Sequence, residues 1–191
     1  MDRTVRQMRC APTQFRAAEA EGEKYIEGYF AVFGEVYELW PGATESIDPH
    51  AFDDTLGDDI RALINHDTTL VLGRTKAGTL ELKVDSHGLW GRVKINQADA
   101  DAMNLYARIE RGDVDQCSFG FDVLEEDTEY REDGSVHWTI KRVKLYEVSP
   151  VTFPAYEDTS VVARKKDYEQ LIQRQNQAWK IKMKERIAKW H

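Results

Sequence analysis

Residues 114–124 read VDQCSFGFDVL. Cys117, Phe119, Phe121 and Val123 alternate with Ser118, Gly120 and Asp122, so the large side chains share one face of a β-strand and the small or polar ones share the other. Just upstream the period changes. Over Ala98–Arg111, Met103, Tyr106, Ala107 and Ile109 recur at helical spacing, and Gly112 is a stop. Downstream, Glu125–Gly134 reads as an acidic hairpin loop. Val136–Val148 then alternates Val136, Trp138 and Ile140 before shifting to Val143 and Leu145, which signals a β-bulge. Ser149-Pro150 and Pro154 interrupt that ladder.

Further out, the β signals are short and closely spaced. Residues 4–16 suit an edge strand, a turn falls at Glu19–Gly22, and Tyr25–Phe33 is a strand. Gly34–Ile47, centred on Trp40-Pro41-Gly42, reads as a loop, and PHAFDDTL from Pro49 as one helical turn. Ile60–Ile64 is a strand that ends in Asn65-His66-Asp67. Thr69–Leu72 and Thr79–Val84 suggest hairpin strands, and His87-Gly88 turns the chain into Leu89–Ile95. Tyr168–Trp190 carries Leu171, Ile172, Trp179, Met183, Ile187 and Trp190 in an amphipathic helical pattern. Seven or eight short antiparallel strands and two helices fit a mainly β fold, a closed or nearly closed antiparallel β-barrel with helices packed outside.

The 191 residues, 41% hydrophobic and 31% charged, are enough for one globular body. Residues 163–191 hold nine Lys or Arg against three Asp or Glu, and the rest of the chain seventeen against thirty-one. An acidic body repels nucleic acid, while the basic tail suits an acidic partner, the body's own surface or plain solvation. The division expected is a body over 1–162 and a basic helical tail over 163–191. No apolar run reaches the roughly 18 residues of a spanning helix, and the first residues lack the apolar core of a secretory signal. Cys10 and Cys117 form no CxxC pair, which points to a reducing compartment. Phosphate loops, HExxH and GxSxG are missing, which argues against those chemistries.

Three residues carry the candidate chemistry. His66 ends an apolar strand, where an imidazole is fixed yet accessible; the alternative is a loop histidine bonded to Asp67 or Asn65. Ser118 sits between two large residues that point the other way, with Gly120 leaving room on its face; the alternative is a strand serine facing solvent. Glu147 precedes the Ser-Pro break, where a carboxylate can accept an imidazole Nδ1–H; the alternative is a surface carboxylate. Cys117 falls on the core side, where a thiol is inert. His50, His87, His137 and His191 lie in a short helix start, at a turn, on an outer strand face and at the terminus. No second histidine lies at ligand spacing from His66, so neither metal nor cofactor is expected.

Six segments in order make the chain resemble the prohead proteases of tailed bacteriophages, the serine peptidases that mature HK97-type capsids. They are GYFAVFGE (Gly28–Glu35), ESIDPHAF (Glu45–Phe52), INHD (Ile64–Asp67), LELKVDSHGLWGRVKI (Leu80–Ile95), CSFGF (Cys117–Phe121) and LYEVSPVTFPAY (Leu145–Tyr156). The resemblance implies an assemblin-like barrel, His66 as the family's histidine, Ser118 as its nucleophile and Glu147 as the acid. Assemblins place a second histidine in that third role, and this chain has none near position 147. His50 stands where glycine is usual in the family, and Cys117 where methionine is common.

By the same resemblance the substrates and partners are a major capsid protein precursor or scaffolding protein, and the protease itself. The place is the interior of a procapsid in the bacterial host cytoplasm, with the gene in a phage or a prophage. Assemblins act as dimers, so a homodimer is compatible with the resemblance; direct nucleic acid and membrane binding are not implied. Three other classes fit the pattern less well: a non-enzymatic capsid- or scaffold-binding module, a metal-assisted hydrolase, and a maturation protein fused to scaffold.

Overall fold

The computed structural model describes residues 7–11 and 16–153, and, as isolated helical positions, Lys165, Tyr168, Glu169, Gln173 and Met183. The chain divides into two compact units, Met1–Tyr156 and Glu157–His191. The amphipathic pattern of 168–190 otherwise lies outside the described residues, as do Pro154 and His191. No helix among the described residues is long and apolar enough to cross a membrane.

The first unit is mainly β. Its strands are β1 (Gln7–Ala11), β2 (Arg16–Ala20), β3 (Glu23–Val32), β4 (Tyr37–Trp40), β5 (Ala43–Ile47), β6 (Arg61–Ile64), β7 (Asp67–Arg74), β8 (Leu80–Val84), β9 (Gly88–Lys94), β10 (Gln116–Tyr130) and β11 (Val136–Val151). Its one described α-helix is α1 (Ala100–Arg111). Asp99 caps α1 by accepting from the N–H groups of Asp101 and Ala102, and Gly112 ends it at φ 86° with its N–H on Arg108 and Ile109. Gly112 is therefore the helix stop that its place in the sequence indicates.

The strands form two sheets, and among the described residues neither closes into a barrel. One has the order β1-β10-β11-β5-β4, with β6 attached to β11 and β7 to β6; the other is β2-β3-β9-β8. The all-antiparallel expectation is corrected too, since β11 pairs in parallel with both β5 and β6. Gly34–Ile47 is largely a hairpin, β4–β5, turned by Pro41 and by Gly42 at φ 84°. Pro at the first turn position with a positive-φ glycine at the second is the type II signature. Thr69–Leu72 lies in β7, which pairs with β6, while β8 pairs with β9, so those two segments are not partners. PHAFDDTL forms turns rather than a helix. The acidic stretch to Tyr130 belongs to β10, and Pro150 lies inside β11.

The core lies behind β10. Phe119 stacks on Phe121 at 4.9 Å between ring centroids and meets Phe52 edge-on at 5.7 Å. Cys117 is buried with them, its Sγ 3.0 Å from the Tyr29 carbonyl on the other sheet.

One uninterrupted run delivers His66 to its place. β5 pairs with β11 from Ala43↔Val136 to Ile47↔Ile140. The turns after it carry on along the same strand: Asp48 N donates to the Ile140 carbonyl, Val143 N to the Ala51 carbonyl, and Leu145 N to Thr55 Oγ1. β6 then pairs Arg61↔Glu147 and Ala62↔Val148. The β6–β7 turn follows at once, beside the end of β11.

Candidate active site

Ile64 pairs with Asp67, so Asn65 and His66 are the two central residues of a tight hairpin turn. Both have positive φ, 50° and 62°, as a type I′ turn demands. Non-glycine residues in this region cost about 1 kcal/mol or more each, and they persist where surrounding bonds hold them. Those bonds come from the end of β11 and the residue that follows it. Asn65 N donates to the Pro150 carbonyl at 3.0 Å, and Thr152 N donates to Asn65 Oδ1 at 2.8 Å. His66 N donates to Ser149 Oγ at 3.3 Å.

Glu147 and Ser149 face this turn because of a β-bulge. Phe121 pairs with Leu145 and Gly120 with Glu147, which leaves Tyr146 unmatched. An extra residue flips the parity of every side chain beyond it. Leu145 therefore belongs to the core before the bulge and Val148 after it. Glu147 and Ser149 consequently join the opposite face, across from Gly120 and Ser118. A second bulge, where Glu125 pairs with Arg142 and Glu126 with Ile140, is the one legible in the spacing of Ile140 and Val143.

The geometry of the cluster follows. His66 Nδ1 lies 2.7 Å from Glu147 Oε1, with side-chain exposures of 15% and 3%. Ser149 Oγ donates to Glu147 Oε2 at 2.6 Å. An ionised carboxylate only accepts, so the imidazole proton sits on Nδ1 and Nε2 presents its lone pair. Ser118 pairs directly with Ser149, which puts its hydroxyl on the same face as the acid and its clamp.

The structure thus hydrogen-bonds His66 to Glu147 and sets Ser118 beside them, without a hydrogen bond between Ser118 Oγ and the imidazole. His66 Nε2 and Ser118 Oγ are two of four described buried side-chain polar atoms that make no hydrogen bond. A third, Asp122 Oδ1, is on the Ser118 face of β10. Buried polar atoms are nearly always paired, so a base and a hydroxyl left unpaired in one cluster mark a place where a partner is needed.

Both solvent-facing readings are corrected. Ser118 is 0% exposed and Glu147 2%; the face carrying them is covered rather than open. His66 bonds neither Asp67, whose carboxylate takes the Thr69 N–H and hydroxyl, nor the Asn65 side chain, which goes to Thr152. The other described histidines have different partners. His50 bonds Asp53, His137 sits between the Thr44 and Ser46 hydroxyls, and His87 stacks edge-on to Tyr29. Among the described residues no group of His, Cys, Asp and Glu is placed to hold a metal ion.

Two residues of the cluster escaped the sequence reading, Asn65 and Ser149. Asn65 had a signal, since Asn followed by one residue between two β-runs is a common hairpin turn. Ser149 had a fainter one, two positions from Glu147 on a strand.

A family model described as caudovirus prohead serine protease matches residues 12–174. The prohead protease of Enterobacteria phage HK97 is 28% identical over 143 residues, covering 73% of this chain and 61% of that protein. The chain thus spans about three-fifths of that relative's length. The capsid assembly protease of bacteriophage T4 aligns with a TM-score of 0.43 and 12% identity, over 76% of this chain and 98% of that one. Because the family match runs through most of its length, the chain belongs to the caudovirus prohead serine proteases.

Proposed function

We propose that this chain is a serine endopeptidase in which Ser118 is the nucleophile, His66 the general base and acid, and Glu147 the residue that orients the imidazole. One observation carries the reading: the Glu147-bound imidazole leaves Nε2 unpaired in the same buried cluster as the unpaired Ser118 hydroxyl. As Ser118 Oγ attacks a peptide carbonyl, its proton passes to Nε2. The tetrahedral intermediate collapses, and the leaving amine takes that proton. Water then gives a proton to Nε2 while its oxygen attacks the acyl carbon, and Ser118 Oγ leaves with the proton returned. Because Ser118 is fully buried, peptide entry requires movement over its face.

The substrates proposed are a scaffolding protein or the scaffold-like segment of a major capsid protein precursor, and the chain itself. Cleavage takes place inside a procapsid in the host cytoplasm, where confinement raises effective concentration. The body over 1–162 carries the chemistry on its two β-sheets, and the basic tail over 163–191 serves packaging or is removed by self-cleavage. A homodimer is the assembly that the assemblin resemblance favours. Incubating wild-type and Ser118→Ala protein with capsid precursor, then taking intact masses of all products, tests the reading. The variant should leave precursor and itself whole. Full cleavage by Ser118→Ala refutes the assignment.

A second reading, a non-enzymatic capsid- or scaffold-binding module, is favoured by the full burial of Ser118 and its lack of a bond to His66. It predicts that wild-type protein binds precursor and never shortens it.

A further inference from the structure

Ser149 has no part in the mechanism above. We infer that it is a positioning residue, which locks His66 in one tautomer and one orientation through a ring of hydrogen bonds that begins and ends on His66. Its kinetic consequence rests on the peptidase reading; its structural consequence rests on geometry alone.

Donor capacity sets every direction in the ring. The His66 N–H only donates, so Ser149 Oγ accepts it at 3.3 Å. A hydroxyl has one proton, and that of Ser149 goes to Glu147 Oε2 at 2.6 Å. Glu147 Oε1 is left to take the proton on His66 Nδ1 at 2.7 Å. One hydroxyl therefore holds both the backbone of His66 and the carboxylate that aims its side chain. Its grip also opposes the strain of the left-handed turn, where His66 has φ 62°. Ser149 is 0% exposed, so solvent does not substitute for it. It also lies opposite Ser118 in the ladder, so a shift of the ring moves the base relative to the nucleophile.

The Ser149→Ala substitution opens the ring at two bonds. With capsid precursor as substrate, kcat should fall about tenfold to a hundredfold with KM changed less than about threefold, as for loss of a charge-assisted bond that holds a reacting geometry. The acid limb of the pH profile should move to lower pH, because a carboxylate no longer held in place by the hydroxyl grips the imidazolium less tightly. Ser149→Thr, which keeps the hydroxyl, should restore most of kcat. Unchanged kcat and acid limb in Ser149→Ala overturn the inference.

Nuclear magnetic resonance of the full chain with isotope-labelled histidine reads the ring without catalysis. Wild-type His66 should show the Nδ1–H tautomer, and Ser149→Ala a mixture. A retained single tautomer in Ser149→Ala overturns the inference whether or not the protein cleaves anything. A mixture in a chain whose wild type never cleaves supports the positioning role while refuting the peptidase reading. Should Ser149→Ala fail to fold, Ser149→Cys, whose thiol fills similar space but donates weakly, takes both measurements.

Discussion

Glu45 on β5 and Glu147 on β11 are carboxylates buried in the same sheet, at 0% and 2% exposure. Glu45 meets a guanidinium fork: Arg9 Nε donates to Oε1 at 2.5 Å and an Arg9 Nη to Oε2 at 3.1 Å. The same Nη reaches Gln7 Oε1 at 3.0 Å, and the Phe121 ring centroid lies 5.8 Å from the guanidinium carbon. Glu147 instead meets a hydroxyl and an imidazole. A guanidinium keeps its protons at any ordinary pH, so the Glu45 pair neutralises charge and stops there. An imidazole transmits the carboxylate's influence to a second nitrogen that is free to take up a proton. Burial is common to both; what distinguishes them is that the partner of Glu147 has a second nitrogen able to bind a proton and the partner of Glu45 does not.

The contrast breaks most visibly at Ser118. Ser118→Ala should cut precursor cleavage by a factor of about a thousand or more. It should leave the thermal midpoint unchanged or raised, because the hydroxyl removed is buried and unpaired. A midpoint several degrees lower would show that Ser118 is structural.

Arg9→Met strands a buried carboxylate and should destabilise the fold by about 3–5 kcal/mol. Denaturant unfolding reads that loss, and cleavage per folded molecule should be unaffected. The double variant Arg9→Met, Glu45→Leu should recover most of the stability, since an apolar pair replaces an ion pair. Failure to recover would mean that the pair fixes more than charge.

Glu147→Gln preserves shape but lets the imidazole adopt the wrong tautomer. It should lower kcat about a hundredfold while costing much less stability than Arg9→Met. Kinetics and unfolding on one preparation compare the two carboxylates directly.

The smallest effect belongs to a carboxylate in water. Asp59 accepts two bonds from Arg74, one of them at 2.6 Å, and these hold its carboxyl down from an ordinary 3.8 to about 2. A depressed value means that the stabilisation is present above the unfolded-state value and lost as pH falls through the folded one. Asp59→Asn should flatten the stability profile slightly between about pH 4 and about pH 2, and leave it unaltered near neutrality. A large change at neutral pH would place Asp59 with the buried pair.

How far the chain could be read follows from the range of each signal. The two faces of β10, the edge position of β1, the extent of α1 and the bulge near Lys141 were legible because period and capping depend on near neighbours. The bulge at Tyr146 was not, because Val143 and Leu145 lead naturally to position 147 as the next core residue. The parity flip shows only when Phe119 is seen to claim Val148 across the ladder. The hairpin at Trp40-Pro41-Gly42 and the strand within Glu125–Tyr130 were likewise hidden, their residues being polar or turn-prone and their strand state imposed by pairing.

Residue order alone named the three chemical groups, His66, Ser118 and Glu147, and the β character of the segments bearing them. Their meeting depended on contacts that no local pattern encodes. His66 and Glu147 lie 81 positions apart and touch because the chain from Ala43 to His66 tracks β11 in parallel. Side-chain identity and alternation are properties of adjacent residues, whereas strand partner, register and burial arise when distant segments compete for the same hydrogen-bonding edge.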